Sequence, residues 1–278
     1  MPEIMPLTDS VHSIKNRTIY FFFFKLRIDP TSIGEVKDKL HKNGAICRHW
    51  FVCEYALIGS DENLWTHAAI FDFKSSEVAK RAFTKGIISD HIEGIQVFSV
   101  KTTNPPFLIN FIFKLMRPLG SALTLFSKQN KNPRSSDLTK KRGGVSPTEE
   151  QFNQHYQNDR TTKAYMINLL QTYPIAQYPD RKTTVSGGTA YYRRYGLVAM
   201  RSVYMIGGRL ILAGRMGAPI LEYNVPKLTQ GAWEGIGVME YPNPSKIFEL
   251  EKMPGYKKAY EHRDAGLEKT VLIISKKE

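Results

Sequence analysis

Apolar positions along the first third of the chain predict alternating strands and helices. TIYFFFFKLRI is rich in β-branched and aromatic residues, which predicts a buried strand. Asp29-Pro30-Thr31-Ser32 then provides helix-start chemistry, and Gly44 provides a helix end. Two strand-like runs, a short helix-like run and a last strand-like run follow: ICRHWFVCEYALIG, LWTHAAIFDF, EVAKRAFTKGI and IQVFSVK. The predicted order is therefore β-α-β-β-α-β.

The last third of the chain repeats this order. KAYMINLLQ predicts a strand, and TAYYRRYGLVAMRSVYMIGG predicts a helix that ends at Gly207-Gly208. Two strand-like runs, a helix-like run and a final strand follow: RLILAGRMGAPILEYN, AWEGIGVMEY, KIFELEKMPGYKKAYEHRDAG and TVLIIS. Because β-α-β-β-α-β is the order of the ferredoxin-like unit, the predicted fold class is α+β with tandem ferredoxin-like repeats.

The spacing of a tryptophan and an acid supports this duplication. Trp65 and Asp72 are seven residues apart around the third strand of the first half. Trp233 and Glu240 are also seven apart around the third strand of the second half. Each acid is followed by an aromatic residue and then by a serine that can cap a helix. Chance agreement between two short apolar runs is the alternative explanation.

The end of the chain carries a set of motifs that comprises an acid, an aromatic residue, a turn with proline and serine, a tyrosine and an arginine: Glu240, Tyr241, Pro242, Ser245, Tyr256 and Arg263. This set resembles a domain family of unknown function within the dimeric α/β barrel superfamily. PTEEQFNQHYQNDR, SGGTAYYRRYG and the Gly207-Gly208 pair belong to the same resemblance, which covers residues 145–278. The first half is similar only in element order, because it lacks the double glycine and the proline-containing turn.

The resemblance implies that two ferredoxin-like sheets pack into one barrel, here within a single chain. Members of the superfamily include haem-dependent peroxidases, haem-degrading oxygenases, cofactor-independent monooxygenases, cyclases and isomerases. The fold therefore leaves the function open.

Composition and charge divide the chain into four regions. The 278 residues are 42% hydrophobic, which excludes a disordered or low-complexity chain. The formal net charge of +13 is concentrated between Lys101 and Arg142, where nine basic residues accompany one acid. This arrangement does not favour a nucleic-acid binder, which spreads basic residues over a folded face. The predicted regions are an N-terminal tail, a first half, a basic connector and a second half: 1–16, 17–104, 105–144 and 145–278.

The two cysteines indicate a reducing compartment. Cys47 and Cys53 lie in one predicted strand, about 20 Å apart at ~3.3 Å per residue, which is too far for a disulfide. The N-terminal residues show no secretory signal pattern. We therefore expect a cytoplasmic protein at the inner face of a membrane.

The connector carries the membrane signal. If residues 107–126 are helical, their polar side chains form one narrow stripe and nearly everything else is apolar. With the basic run that follows, this pattern is typical of a helix in a membrane interface, broken near Pro118. The predicted membrane-binding residues are Phe107, Phe111, Phe113, Leu115, Lys114 and Arg117. A transmembrane span, packing on the protein's own barrel and a dimer contact are the alternatives.

Candidate chemistry is confined to isolated polar residues. The sequence contains no Walker loop, zinc spacing or H-E-x-x-H motif, so no metal site is predicted. The candidate catalytic residues are Glu240 as base, Asn168 as the group that orients a carbonyl or an oxyanion, and His67 as a reserve base. Structural roles compete in each case: an ion pair for Glu240, a strand tie for Asn168 and a core position for His67. Tyr192, Tyr195, Trp233 and Arg263 are the predicted ligand-binding residues, in a cleft between the sheet and the helices of the second half.

These observations support three functions. The first is a membrane-surface enzyme that acts on a lipophilic small molecule by acid/base or cofactor-free oxygen chemistry. The second is a non-catalytic carrier of a hydrophobic ligand. The third is haem-dependent chemistry, although no cofactor is predicted from the sequence. The expected partners are the lipophilic ligand and an anionic membrane surface, with a homodimer as a further option and no nucleic acid.

Overall fold

The computed structural model describes residues 17–27, 31–84, 90–103, 144–158, 161–180 and 182–278. The first half contains four strands and two helices: β1 (Thr18–Leu26), α1 (Ser32–Lys42), β2 (Ile46–Ile58), β3 (His67–Phe73), α2 (Ser76–Thr84) and β4 (Ile92–Thr102). The second half adds five strands and three helices: α3 (Glu149–Gln157), β5 (Ala164–Thr172), α4 (Gly196–Met205), β6 (Arg209–Met216), β7 (Leu221–Tyr223), β8 (Gly235–Tyr241), α5 (Tyr256–Gly266) and β9 (Leu267–Lys277).

One antiparallel sheet closes on itself. Its strand order is β1-β3-β2-β9-β5-β8-β6-β4, and β4 pairs in turn with β1, which completes a barrel of eight strands. The short strand β7 adds to β4 beside β6. The prediction of a mixed α and β fold with its sheet closed within one chain is therefore confirmed at this level.

The two halves of the barrel have the same strand order. The first half reads β4-β1-β3-β2 and the second half reads β9-β5-β8-β6. If β7 is left out of the count, each half has four barrel strands. In both halves the first and fourth of these pair with each other, and the third lies between the first and the second. The halves join at two antiparallel seams, β2 with β9 and β4 with β6.

The interior of the barrel is a packed apolar core. Phe21 and Phe23 are fully buried there, and the Phe23 ring stacks on Trp65 with centroids 5.7 Å apart. Trp65 and Trp233, the two equivalent tryptophans of the sequence, both donate to Thr229: one to its hydroxyl at 2.9 Å and the other to its carbonyl at 2.8 Å. Because strand side chains alternate between faces, the remaining positions point outward to the helices.

The outer face of the first half is filled by aromatic rings beneath α1 and α2. Phe22 contacts Phe71 with centroids 5.0 Å apart, and Phe24 stacks on Trp50 at 5.3 Å. The equivalent face of the second half is covered by α4, α5 and a 3₁₀ helix, Pro244–Lys252. The sequence predicts one helix from Lys246 to Gly266, but the structure divides it. Pro254 cannot continue a helix and Gly255 takes a left-handed φ of +78°.

The predicted membrane-binding residues, 107–117, lie outside the described ranges. Among the helices that the structure describes, none combines the length and the hydropathy needed to cross a bilayer.

Candidate functional site

A cavity of about 380 Å³ lies between the outer face of the second-half sheet and the helices that cover it. Its sheet wall includes Met166, Asn168 and Leu170 from β5, and Gly237 and Met239 from β8. Its helix wall is rich in aromatic side chains and includes Tyr191, Tyr192, Tyr195, Tyr256, Tyr260 and Arg263. We call this space the tyrosine-walled cavity. Four of the predicted site residues line this cavity: Asn168, Tyr192, Tyr195 and Arg263.

A π-helical segment, Thr189–Tyr195, supplies much of the tyrosine wall. It runs directly into α4, and the three tyrosines Tyr191, Tyr192 and Tyr195 all reach the cavity from it. A π-helix is rare and is found often at functional sites, since its wider turn changes which side chains share a face. The periodic pattern of an ordinary helix could not predict this arrangement.

Two glycines of β8 shape the sheet wall. A Cβ atom added to Gly235 would lie 2.2 Å from the Tyr192 hydroxyl oxygen, so Gly235 makes room for that side chain. A Cβ atom added to Gly237 would meet only the Met239 methyl group, at 3.9 Å. The missing side chain of Gly237 therefore leaves open space on the cavity side of the strand.

Arg263 is a buried cation in the cavity wall. Its guanidinium group donates to the Tyr260 hydroxyl at 3.0 Å and to the backbone carbonyl of Val145. It also forms an ion pair with Asp264, with 3.5 Å between Nη1 and Oδ1. These contacts connect α5 to the start of the second half, so Arg263 has a structural role beside its place in the wall.

The tyrosine hydroxyls are neutral hydrogen-bonding groups. Tyr195 and Tyr256 share a hydrogen bond with their hydroxyl oxygens 3.0 Å apart. Burial is the main cause that raises the pKa of Tyr195 and of Tyr256 above the usual value, and it also raises the pKa of Tyr191. All three phenols therefore stay protonated in the neutral pH range.

Asn168 lines the cavity, but its amide protons are directed at the backbone. The side-chain nitrogen lies 3.4 Å from the Met166 carbonyl oxygen and 3.3 Å from that of Gly237, the residue opposite it on β8. These are long hydrogen bonds. Donation to a ligand oxyanion requires one of these protons to leave its carbonyl, so the predicted catalytic role of Asn168 stays a prediction.

The structure separates Glu240 and Trp233 from the cavity. Both lie on the other face of the sheet, where Tyr165 donates to the Glu240 carboxylate at 3.0 Å. Arg209 and Lys163 also bind that carboxylate, at 2.7 Å and 3.0 Å. Burial opposes its ionisation, but the hydrogen bonds from Arg209, Lys163 and Tyr165 outweigh burial and lower the pKa of Glu240. Glu240 is thus a weak base whose carboxylate oxygens are already bound by Arg209, Lys163 and Tyr165.

His67 lies far from both of these groups, on the outer face of the first half. Its Nδ1 is 2.9 Å from the Thr66 hydroxyl oxygen, and its ring lies 5.8 Å from the Trp50 ring. Burial lowers the pKa of His67, which keeps the imidazole neutral at neutral pH. The sequence predicts His67 as a reserve base inside the shared barrel. In the structure, the residues of β3 that point into the barrel are Ala68 and Ile70, and His67 points outward.

Two charged residues of the cavity wall were not among the predicted site residues. Glu251 reaches the cavity from the 3₁₀ helix, and Arg215 reaches it from the end of β6. The Arg215 guanidinium group stacks on the Tyr192 ring at 4.4 Å from its centroid. The sequence pattern predicts an ordinary helix around Glu251 and gives no reason to select it. For Arg215, the sequence offers one indication of a site: a charged residue near the end of an apolar strand.

Solved structures place these observations in a family. The methylated RPA0582 protein is 30% identical, and the match covers 47% of this chain and 91% of that chain with a TM-score of 0.40. A second structure of the RPA0582 protein, of unknown function and from Rhodopseudomonas palustris, is 29% identical over 48% of this chain and 95% of that chain, with a TM-score of 0.41. The chain belongs to the same family as the RPA0582 protein. The resemblance stated from the sequence is thereby confirmed.

A more distant likeness spans almost the whole chain. A variant of chlorite dismutase from Candidatus Nitrospira defluvii is 9% identical over 94% of this chain and 91% of that chain, with a TM-score of 0.43. This likeness carries no inference about activity. Models of known protein families give no match, and neither do the curated proteins.

Among the described residues of the tyrosine-walled cavity, a haem iron would find methionine and tyrosine as its candidate ligands. None of the described residues that line it is a histidine or a cysteine, which are the usual proximal ligands besides methionine and tyrosine. The buried His155 lies nearby, but its two ring nitrogens contact the Tyr55 hydroxyl at 2.6 Å and the Pro244 carbonyl at 3.0 Å. The described residues also contain no group of three or more His, Cys, Asp or Glu side chains that could hold a metal ion.

Proposed function

We propose that this protein binds a lipophilic small molecule in the tyrosine-walled cavity. The observation that carries the proposal is the cavity itself: about 380 Å³, lined mostly by apolar and aromatic side chains, with a few polar groups. Small-molecule sites have this form, because apolar walls supply the free energy of binding and the few polar groups fix orientation. Binding is the function common to the carrier and the enzyme that the sequence predicts.

The contrast between the two halves supports this assignment. In the first half, the space between sheet and helices is filled by stacked aromatic rings, among them Phe22, Phe24 and Trp50. In the second half, Gly237 and the π-helical segment leave space in the corresponding layer. We infer that the first half is structural and that the second half carries the ligand.

Filling the cavity should abolish binding of an apolar probe. We expect Gly237→Phe to weaken binding of the neutral fluorescent probe N-phenyl-1-naphthylamine by about tenfold or more, since the new ring occupies the open space beside Met239. Fluorescence titration of purified protein measures this change. The matched control is Gly217→Phe, where an added Cβ atom has no heavy atom within 4 Å and the position does not line the cavity. Equal binding by the two variants and the original protein contradicts the proposal.

Glu251 supports a second candidate, acid/base catalysis on the bound ligand. It is the one carboxylate among the described side chains of the cavity wall. A general base has to reach the proton that it removes, and Glu240 does not, since it lies on the other face of the sheet. If the ligand is turned over, Glu251 is the candidate base.

Substitution of the two carboxylates should have opposite effects. Glu251→Gln should remove any turnover of the bound molecule and leave the melting temperature nearly unchanged. Glu240→Gln should leave turnover intact and lower stability at neutral pH by about 2 kcal/mol, because Arg209 and Lys163 lose a charged partner.

The stability that Glu240 contributes should depend on pH. Since the pKa of Glu240 is lowered from 4.5 in the folded protein, this stability is present above pH 4.5 and is lost as the pH falls through the lowered value. Thermal melts across this range measure it, and a Glu240→Gln deficit that persists in strong acid contradicts the ion-pair assignment.

We also propose that the chain is a tandem repeat of a ferredoxin-like unit. The repeated strand order, the two tryptophans that meet at Thr229 and the two buried acids support this origin. Asp72, the counterpart of Glu240, is likewise buried, and it binds Arg17 and Arg48. Each half thus uses its strand-end acid to hold neighbouring basic residues, which is a structural role.

The connector remains the proposed membrane contact. Its apolar and basic residues, with Phe111 and Lys114 near the centre, support attachment to an anionic surface. We expect a variant with residues 105–142 replaced by a glycine-serine linker of equal length to lose flotation with phosphatidylserine vesicles. Equal flotation of both proteins excludes this role, and loss of solubility by the variant favours packing of the segment on the barrel.

A further inference from the structure

Each cation in the described wall of the tyrosine-walled cavity has a carboxylate partner. Arg263 lies 3.5 Å from Asp264, and Arg215 lies 3.6 Å from Glu234. Glu251 adds a third carboxylate at the wall. The described residues therefore offer a ligand no excess of positive charge. Burial of an anionic ligand beside them costs desolvation free energy that no surplus cation offsets.

The same wall still offers hydrogen-bond donors. The hydroxyls of Tyr195 and Tyr256 hold two protons between them, and their shared hydrogen bond uses one. The second proton is available to a ligand oxygen. Both phenols stay protonated at neutral pH because burial raises their pKa. This pair therefore suits an uncharged acceptor in an otherwise apolar space.

We infer that the ligand is an uncharged apolar molecule with a carbonyl group, such as a ketone or a quinone, and that the Tyr195–Tyr256 pair donates to its carbonyl oxygen. This inference rests on the proposed function, since it specifies the ligand class for the same cavity. Fatty acids, phosphorylated lipids and other anions are excluded by the charge balance. The carboxylate that most directly sets this preference is Asp264, because it neutralises the buried Arg263.

A matched pair of probes tests the charge preference. 2-Acetylnaphthalene and 2-naphthoate share a ring system, but the first carries a neutral carbonyl group and the second a carboxylate. We expect the original protein to bind the ketone at least about tenfold more tightly at neutral pH. Asp264→Asn should strengthen naphthoate binding by about fivefold or more and change ketone binding less than twofold. Glu261→Gln, an exposed acid on the same helix, is the control and should change neither.

A second variant tests the donor pair without altering any charge. The double variant Tyr195→Phe, Tyr256→Phe should weaken acetylnaphthalene binding by about tenfold and leave 2-ethylnaphthalene, which lacks the carbonyl group, unchanged. A preference of the original protein for naphthoate, or an equal loss of both neutral probes in the double variant, overturns the inference. If N-phenyl-1-naphthylamine binds and neither 2-acetylnaphthalene nor 2-naphthoate does, the carbonyl preference is wrong and the proposed function stands. If none of the probes binds, the proposed function itself is wrong.

Discussion

Arg263→Met should lower the free energy of unfolding by about 3 kcal/mol. The substitution leaves the buried Val145 carbonyl oxygen without this donor and removes an ion pair from the half-buried Asp264. It also removes the donor to the Tyr260 hydroxyl. Since removal of one member of a buried polar network takes a hydrogen bond or an ion pair from each of the others, the loss exceeds that of an exposed arginine.

Urea unfolding followed by circular dichroism measures this difference. Arg193→Met is the matched control, because Arg193 is exposed on the π-helical segment and the chemical change is identical. The control should change stability by about 0.5 kcal/mol or less. If both variants unfold at the same urea concentration, Arg263 does not hold the start of the second half to α5.

Phe23→Ala should cost about 3–5 kcal/mol, which is the largest loss that we expect from a single substitution. Phe23 is fully buried inside the barrel, 5.7 Å from Trp65 and 5.0 Å from Phe21 between ring centroids. Removal of the ring leaves a cavity that this closed sheet cannot collapse to fill.

The same variant separates the barrel interior from the ligand site. Under conditions where it is folded, Phe23→Ala should bind N-phenyl-1-naphthylamine within about twofold of the original affinity, because Phe23 and the tyrosine-walled cavity lie on opposite sides of the sheet wall. Loss of probe binding by the folded variant places the ligand inside the barrel and contradicts our assignment. Thermal unfolding and fluorescence titration of the same preparation provide both values.

Strand patterns predicted the fold well, because a buried strand leaves a direct imprint on the sequence. The four consecutive phenylalanines of β1 supply both faces at once: Phe21 and Phe23 pack inside the barrel, and Phe22 and Phe24 pack under the helices. Closure of the barrel within one chain was predicted from the repeat and the family resemblance. The sequence did not predict which strands join the halves. These pairs, β2 with β9 and β4 with β6, depend on contacts between residues far apart in sequence.

The site was predicted only in part, for reasons of register and helix type. Asn168 faces the cavity because the inward residues of β5 are Tyr165, Ile167 and Leu169. The same alternation in β8 turns Ile236 and Val238 inward, and Glu240 follows them away from the cavity. The predicted site therefore joined residues from opposite faces of the sheet: Asn168 faces the cavity, and Glu240 faces away from it.

The helix wall shows a second limit of sequence patterns. An α-helical period predicts that Tyr192, Tyr195 and Ala199 share a side, but the π-helical segment brings Tyr191 to the cavity as well. Glu251 is carried by a 3₁₀ helix that ends before Pro254, and its position depends on that break. Such local departures from ideal helices are set by packing against the sheet and leave little trace in the pattern of apolar residues.

The central claim is that the tyrosine-walled cavity holds a lipophilic small molecule, and its most direct test is mass spectrometry of the molecules that co-purify with the protein. The protein and the Gly237→Phe variant are purified in parallel, extracted with organic solvent and compared. We expect an uncharged apolar compound with a carbonyl group that is present with the original protein and depleted by about tenfold or more in the variant. The same compounds in equal amounts in both extracts would contradict it.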